Sequence, residues 1–223
     1  MPRERPNLTY NLIVDEALDL LDAEGLEGFS MRKLAARLGV EAMSIYHHLP
    51  NRQAILVAVA DRIVGEIRLP MSDSPWRMRL GQFAEDAYRV FMAHPAMVTI
   101  LATEIADPTD PQSLAPVDSI MATLEGAGFT PVERVTIFHA LTSIVFGFVL
   151  MYSQGIVRSG RWNADDRSDP AKAIRAHATE VPHIAALLPA FAATPPGDDF
   201  RLALRLFLDG LEREHRGGGS ASA

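Results

Sequence analysis

The chain has 223 residues, 48% of them apolar, enough for one large core or two small ones in a soluble globular protein. It has no cysteine, which excludes a disulfide framework, a zinc–thiolate centre and a thiol nucleophile, and fits a reducing, cytoplasmic setting. The formal charge is −7, and the basic side is almost all arginine, with Lys33 and Lys172 the only lysines.

Residues 1–7 are polar and broken by proline, which predicts a flexible arm; they lack the apolar run of a signal peptide. Leu8 to Ala23 reads as an amphipathic helix, with Leu12, Ile13, Ala17, Leu20 and Leu21 on one stripe and Asp15, Asp19 and Asp22 mostly outside. Gly25 and Gly28 end it. Ser30 is placed to cap a second helix, and Leu34, Ala35 and Leu38 give that helix one apolar edge. Gly39 follows, where a left-handed residue commonly closes a helix. A third helix is expected over Glu41 to His48, stopped by Pro50, and Asn51 can cap a fourth, from Arg52 to about Arg68. Short helix, tight turn, short helix is the geometry of a helix-turn-helix, and equally that of many plain helical hairpins. Charge favours the first reading. Between Phe29 and Arg52 the charged residues are Arg32, Lys33, Arg37 and Arg52 against Glu41 alone, a basic island of +3 on an acidic chain.

Pro70 to Pro75 is the best domain boundary. Ser74-Pro75-Trp76 predicts a capped helix that runs to His94-Pro95, followed by a shorter one over Ala96 to Ala106 and a loop over Asp107 to Pro111. Leu114 to Ala127 is the next helix, with Gly128 as its stop. Thr130-Pro131 leads into a long apolar helix, roughly Val132 to Gln154. From Val135 to Val157 there is no Asp, Glu, Lys or Arg, a span long enough for a bilayer. Thr136, His139, Thr142, Ser143, Ser153 and Gln154 interrupt it, so a helix buried on nearly all sides is expected and no membrane. Ser159 to Asp169 reads as a loop and Pro170 to Leu188 as a broken helical region. Pro195 to Asp199 punctuates, Phe200 to Glu214 is the last helix, and 217–223 is a flexible glycine/serine tail. No segment has the pattern of a strand. The expected class is all-α, with a helix-turn-helix unit and connecting helix in 1–69 and a larger helical domain in 70–216.

Two helices look like an interface. The long helix has Phe138, Leu141, Thr142, Val145 and Val149 on one face and Ile137, Ile144, Phe148 and Met151 on another. The last has Phe200, Leu204, Phe207, Leu208 and Leu211 at helical spacing. A helix apolar on two sides must bury both, inside a large monomeric core or against a second chain.

The run Ser30-Met-Arg-Lys-Leu-Ala-x-x-Leu-Gly-Val-x-x-x-Ser-Ile-Tyr-x-His-Leu-x-Asn-Arg52 resembles the DNA-binding domain of the tetracycline-repressor (TetR) family. Weaker likeness extends over about 8–214, at Gly126-x-Gly-Phe, Pro182-His-Ile-x-x-Leu-Leu-Pro189 and the last helix. The resemblance implies that the fourth helix joins the DNA-binding unit to the rest. It also implies a homodimer, with the long helix near 132–154 and the last near 200–214 forming a four-helix bundle. A double-stranded DNA operator and a small-molecule effector are the implied partners.

For DNA, the exposed start of the recognition helix must reach base edges, which nominates Ala42, Met43, Ser44 and, one turn on, His47. By resemblance Tyr46 and His48 meet phosphates, although Tyr46 can also pack and either histidine can simply be solvated. Arg32 and Arg52, at helix starts whose N–H groups favour anions, are further phosphate candidates, and Arg32 can reach a base. For an effector, the helical domain offers Phe83, Ala87, Phe91, His94, Met97, Leu101, Met121, Phe138, His139 and Thr142, residue types that serve equally as plain core. In the tetracycline repressor a histidine after the fifth helix is followed by a Gly-Thr-Arg-Pro turn that helps to hold drug and magnesium. Here His94 is followed by Pro-Ala-Met-Val-Thr-Ile-Leu-Ala-Thr103, a helix instead, which argues against a metal-chelate effector; no cofactor or metal is expected. No glycine-rich phosphate loop, serine elbow or His-x-x-x-His spacing occurs, so an enzyme is not expected. The expected function is a ligand-responsive DNA-binding repressor, the alternative an activator or constitutive regulator without a small effector.

Overall fold

Thr9 opens the first helix. Its hydroxyl accepts from the Leu12 N–H at 3.2 Å, and α1 (Tyr10–Gly28) follows, broken near its end at Gly25, whose φ of 69° needs a residue without Cβ. The structure, a computed structural model, describes residues 8–68, 73–103, 109–153, 170–193 and 197–218; these contain helices and their connections and no strand. The arm over 1–7, residues 70–72 of the Pro70–Pro75 break, Asp107-Pro108, Gln154, the loop over 159–169, Pro195-Pro196 and tail residues 219–223 lie outside the described residues.

Ser30 caps α2 (Met31–Leu38), its hydroxyl accepting from the Lys33 N–H at 3.3 Å, and Gly39 ends it in the left-handed region at φ 67°. The third helix, α3 (Ala42–Tyr46), is shorter than expected at both ends: Glu41 is its cap, and His47 and His48 lie in the turn that follows. The His48 and Leu49 N–H groups both bond to the Ile45 carbonyl, because the residue before Pro50 is disfavoured in helix and the last turn tightens instead. Asn51 caps α4 (Arg52–Val64), accepting from the Ala54 N–H at 2.8 Å. Each such cap is worth about 1 kcal/mol. α4 ends before Arg68, whose N–H donates to Asp86 Oδ2 at 2.6 Å in place of a helical carbonyl.

Ile13, Leu20, Leu34, Ile45, Ile55, Leu56, Val59 and Ile63 have no exposed surface. They are the shared core of α1–α4, each contributing roughly 1.5–3 kcal/mol by leaving water. Polar ties hold the outside: Arg37 to Glu16, Lys33 to Glu24 and to the Gly28 carbonyl, and Arg62 to Asp15 and Asn11.

α5 (Trp76–Ala93), α6 (Ala96–Thr103) and α7 (Pro111–Gly126) continue the same compact unit, which spans Met1–Val135. The break expected near residue 70 lies within this compact unit. α4 packs against α5, α6 and α7, and α1 against α6. Ser74 does not cap α5; Pro75 occupies the cap position, with no side-chain bond. α7 starts three residues earlier than expected, because Asp110 caps it through the Gln112 N–H at 2.7 Å and Pro111 suits the first helical position. Trp76 meets Phe129 edge-on, ring centroids 5.4 Å apart.

α8 (Pro131–Ser153) begins with a reciprocal cap in which the Thr130 N–H donates to Glu133 Oε2 at 2.7 Å and the Glu133 N–H donates to Thr130 Oγ1 at 3.4 Å. Its buried stripe is Ile137, Leu141, Val145 and Val149. Ile137 thus shares a face with Leu141, contrary to the expected split, since a step of four residues advances only 40° beyond a full turn. Nor is α8 buried nearly all round: Val132 is 77% exposed, and Val135 and Met151 are also exposed. By length and composition alone it could cross a membrane.

The second unit, Thr136–Ala223, holds the rest of α8 with α9 (Pro170–Ala176), α10 (Pro182–Ala186), α11 (Leu188–Ala193) and α12 (Asp198–Gly218). Phe148 meets Phe200 edge-on at 5.8 Å, and the Tyr152 hydroxyl donates to Asp199 at 2.8 Å. α12 runs through Gly218, so Gly217 and Gly218 belong to the helix and not to the expected tail. It buries Phe200, Leu204 and Leu208 while leaving Leu202 46% and Leu206 60% exposed, a second apolar face beyond the one expected from helical spacing.

Candidate nucleic-acid interface

Ile45 has no exposed surface and fixes α3 to the core below it. The residues around it then face outward. Met43 is 65% exposed, Ala42 and Ser44 are half-buried, and Tyr46, His47 and His48 are exposed. Arg32 stands exposed near the start of α2. Arg52 begins α4 with its guanidinium carbon 5.7 Å from the centroid of the Phe29 ring, which is itself nearly buried. This cation–π contact fixes where the charge sits. All eight DNA-contact candidates thus fall on α2, α3, the turn after α3 and the start of α4.

The basic island is smaller than its composition implies. Lys33 and Arg37 are paired with Glu24 and Glu16 of α1. Met43 offers an apolar surface suited to thymine methyl groups, and the Ser44 hydroxyl can donate or accept.

Residues 13–59 match the sequence family described as bacterial regulatory proteins, tetR family, and residues 69–215 match the tetracyclin repressor-like C-terminal domain. The chain belongs to the TetR family. An HTH-type transcriptional regulator of Saccharopolyspora erythraea is 33% identical over 189 residues, covering 84% of this chain and 78% of the relative. The class A tetracycline repressor from transposon 1721 of Escherichia coli is 28% identical over 209 residues, 92% of this chain and 91% of that one. Among solved structures, apo ActR of Streptomyces coelicolor aligns with a TM-score of 0.73 at 26% identity, over 96% of this chain and 98% of ActR. ActR in complex with actinorhodin aligns at 0.73 and 25% identity, over 93% and 98%. As a TetR-family member the chain is a DNA-binding transcriptional regulator, and its relatives are regulators, not enzymes.

The effector candidates divide between the two units. On α5–α7 of this TetR-family chain Phe83, Ala87, Phe91 and Met97 are buried, and His94, Leu101 and Met121 are partly exposed. Phe138 and Thr142 are half-buried on α8, and His139 is exposed. His94 has a partner: its Nδ1 lies 2.7 Å from Asp22 Oδ2 of α1. Since a carboxylate only accepts, the ring Nδ1–H is the donor.

Three carboxylates tie the reading unit to α5–α7. Asp22 is the first. Asp61 of α4 accepts from the Thr109 and Asp110 N–H groups at 3.1 and 3.3 Å, from the Thr109 hydroxyl at 3.4 Å and from the buried Ser113 hydroxyl at 2.6 Å. It serves the N-terminus of α7 from another helix. Asp86 of α5 holds the Arg68 N–H and the Arg89 guanidinium, the latter at 2.9 Å. Burial pushes the Asp86 carboxyl up, but the Arg89 hydrogen bond, the Arg68 N–H and both positive charges outweigh it and hold it below its ordinary value.

Proposed function

We propose that this chain is a homodimeric cytoplasmic repressor that binds a near-palindromic operator and is released by a small lipophilic effector. The observation that carries the DNA reading is the outward tip of α3, where Met43 and Ser44 stand exposed or half-exposed above a fully buried Ile45. Ala42, Met43, Ser44 and His47 read base edges, while Arg32, Tyr46, His48 and Arg52 meet phosphates. The exposed apolar residues Val132, Val135 and Met151 on α8 and Leu202 and Leu206 on α12 support a partner chain on those helices.

Repression and effector release draw support from relatives: a repressor name attaches to the class A tetracycline protein, and ActR was crystallised with actinorhodin. The effector site is assigned within the first unit to Phe83, Ala87, Phe91, Met97, Leu101 and Met121, with His94 at the margin. Thermal melting against a panel of lipophilic compounds that includes actinorhodin and tetracycline tests this. A specific ligand raises the midpoint by mass action and lowers DNA affinity in parallel. A panel that shifts neither leaves an activator or constitutive regulator as the better reading.

A further inference from the structure

The helices that read DNA pack together as one group, α1–α4. α1 is tied to α2 through Glu16–Arg37 and Glu24–Lys33, and to α4 through Asp15–Arg62. That group has two side-chain carboxylates reaching toward α5–α7, Asp22 on α1 and Asp61 on α4. They differ in strength. Asp61 accepts four hydrogen bonds from Thr109, Asp110 and Ser113, and Ser113 is 1% exposed. Asp22 has one bond to His94, with the two side chains 30% and 20% exposed. Four bonds on one carboxylate, one of them from a buried hydroxyl, hold better than a single bond between partly exposed side chains. A rotation of α1–α4 about α7 would therefore break the Asp22–His94 bond first and leave Asp61 in place.

His94 is also placed to control that bond. It ends α5, and the Met97 N–H of the first turn of α6 bonds to its carbonyl at 3.0 Å. Any shift of the α5–α6 corner moves the imidazole with it.

We propose that the Asp22–His94 hydrogen bond is a latch that sets the angle of the DNA-reading helices against α5–α7, with Asp61 as the pivot. His94 is thus a positioning residue for DNA binding, acting through Asp22. In a dimer that angle fixes the distance between the two recognition helices, so the latch selects operators by half-site spacing. This rests on the paired-site reading given above.

The test uses the full-length protein and the paired site that it selects from random duplex DNA. Affinity is measured for that duplex and for versions with one base pair added or removed between the half-sites. His94→Ala and Asp22→Ala are expected to reduce the discrimination between spacings by about fivefold, the scale of one partly solvent-exposed hydrogen bond. The double variant is expected to match the singles. His94→Asn, whose amide nitrogen can replace Nδ1, should retain the wild-type preference. Should His94→Ala lose its helical circular dichroism, Asp22→Ala at its half-exposed position carries the test. Wild-type spacing preference in Asp22→Ala, or single effects that add in the double variant, would overturn the latch while leaving the paired-site reading intact. Failure of the wild type to select any paired site would overturn both.

Discussion

The Ser113 hydroxyl of α7 donates to Asp61 Oδ1 of α4 across 2.6 Å. One carboxylate so placed satisfies the donors at the start of α7 and binds that helix to the one leading out of the reading unit. Replacing Asp61 by Ala leaves two backbone N–H groups to find water and the Ser113 hydroxyl with only the Asp110 carbonyl, 2.8 Å away. A loss of about 2–3 kcal/mol is expected in urea unfolding, against about 1 kcal/mol for Asp61→Asn, which keeps an acceptor. Equal losses in the two variants would mean that charge, and not the hydrogen bonds, is what Asp61 supplies.

Arg52 and Phe29 give a second expectation. With Arg52 proposed to meet phosphate, Arg52→Ala should weaken binding to all duplexes alike and lower the salt slope by about 1. Binding titrations at several salt concentrations read both. A change in sequence preference would place Arg52 among the base readers.

On α12, Leu206 is 60% exposed amid an otherwise amphipathic pattern. Leu206→Glu is expected to convert a sedimenting dimer to monomer with unchanged helical content. The dimer dissociation constant should rise at least about tenfold, since a buried unpaired carboxylate costs several kcal/mol. A variant that sediments like the wild type would move the interface elsewhere.

Asp86 predicts an acid dependence with a definite sign. Its folded carboxyl is held below the ordinary value of 3.8, so its contribution is fully present above that value and is lost as pH falls through the lower folded one. Asp86→Asn should therefore melt lower than the wild type at pH 6, and the gap should close in strongly acidic buffer. A gap that stays constant down to the acid limit would assign the effect to shape and not to charge.

Much of the reading unit is legible in the sequence because its signals are local. Ser30, Gly39 and Asn51 each satisfy a helix terminus within a few residues, and the structure places all three where the chain requires them. Ser74 misleads because a serine before proline resembles a cap whether or not its hydroxyl reaches an N–H; here Pro75 takes the position. Short spacings put Ile137 on the wrong side of α8, when a four-residue stripe over three turns decides the face. The ties at Asp22, Asp61 and Asp86 are not legible. Each is an acidic residue on a helix surface, and only the partners, 72, 52 and 18 residues away, give it a role. The count of basic residues overstates the DNA face for the same reason, since Lys33 and Arg37 are engaged by α1.

The most direct test of the central claim is selection of bound fragments from bacterial genomic DNA by the wild type and by Ser44→Ala. The expected wild-type product is an inverted pair of half-sites centred about one helical turn, roughly 34–36 Å, or a small multiple apart. Ser44→Ala should change the preferred base at one position in each half. Unrelated fragments, or a single motif without inversion that Ser44→Ala leaves untouched, would contradict a dimeric repressor reading DNA through α3.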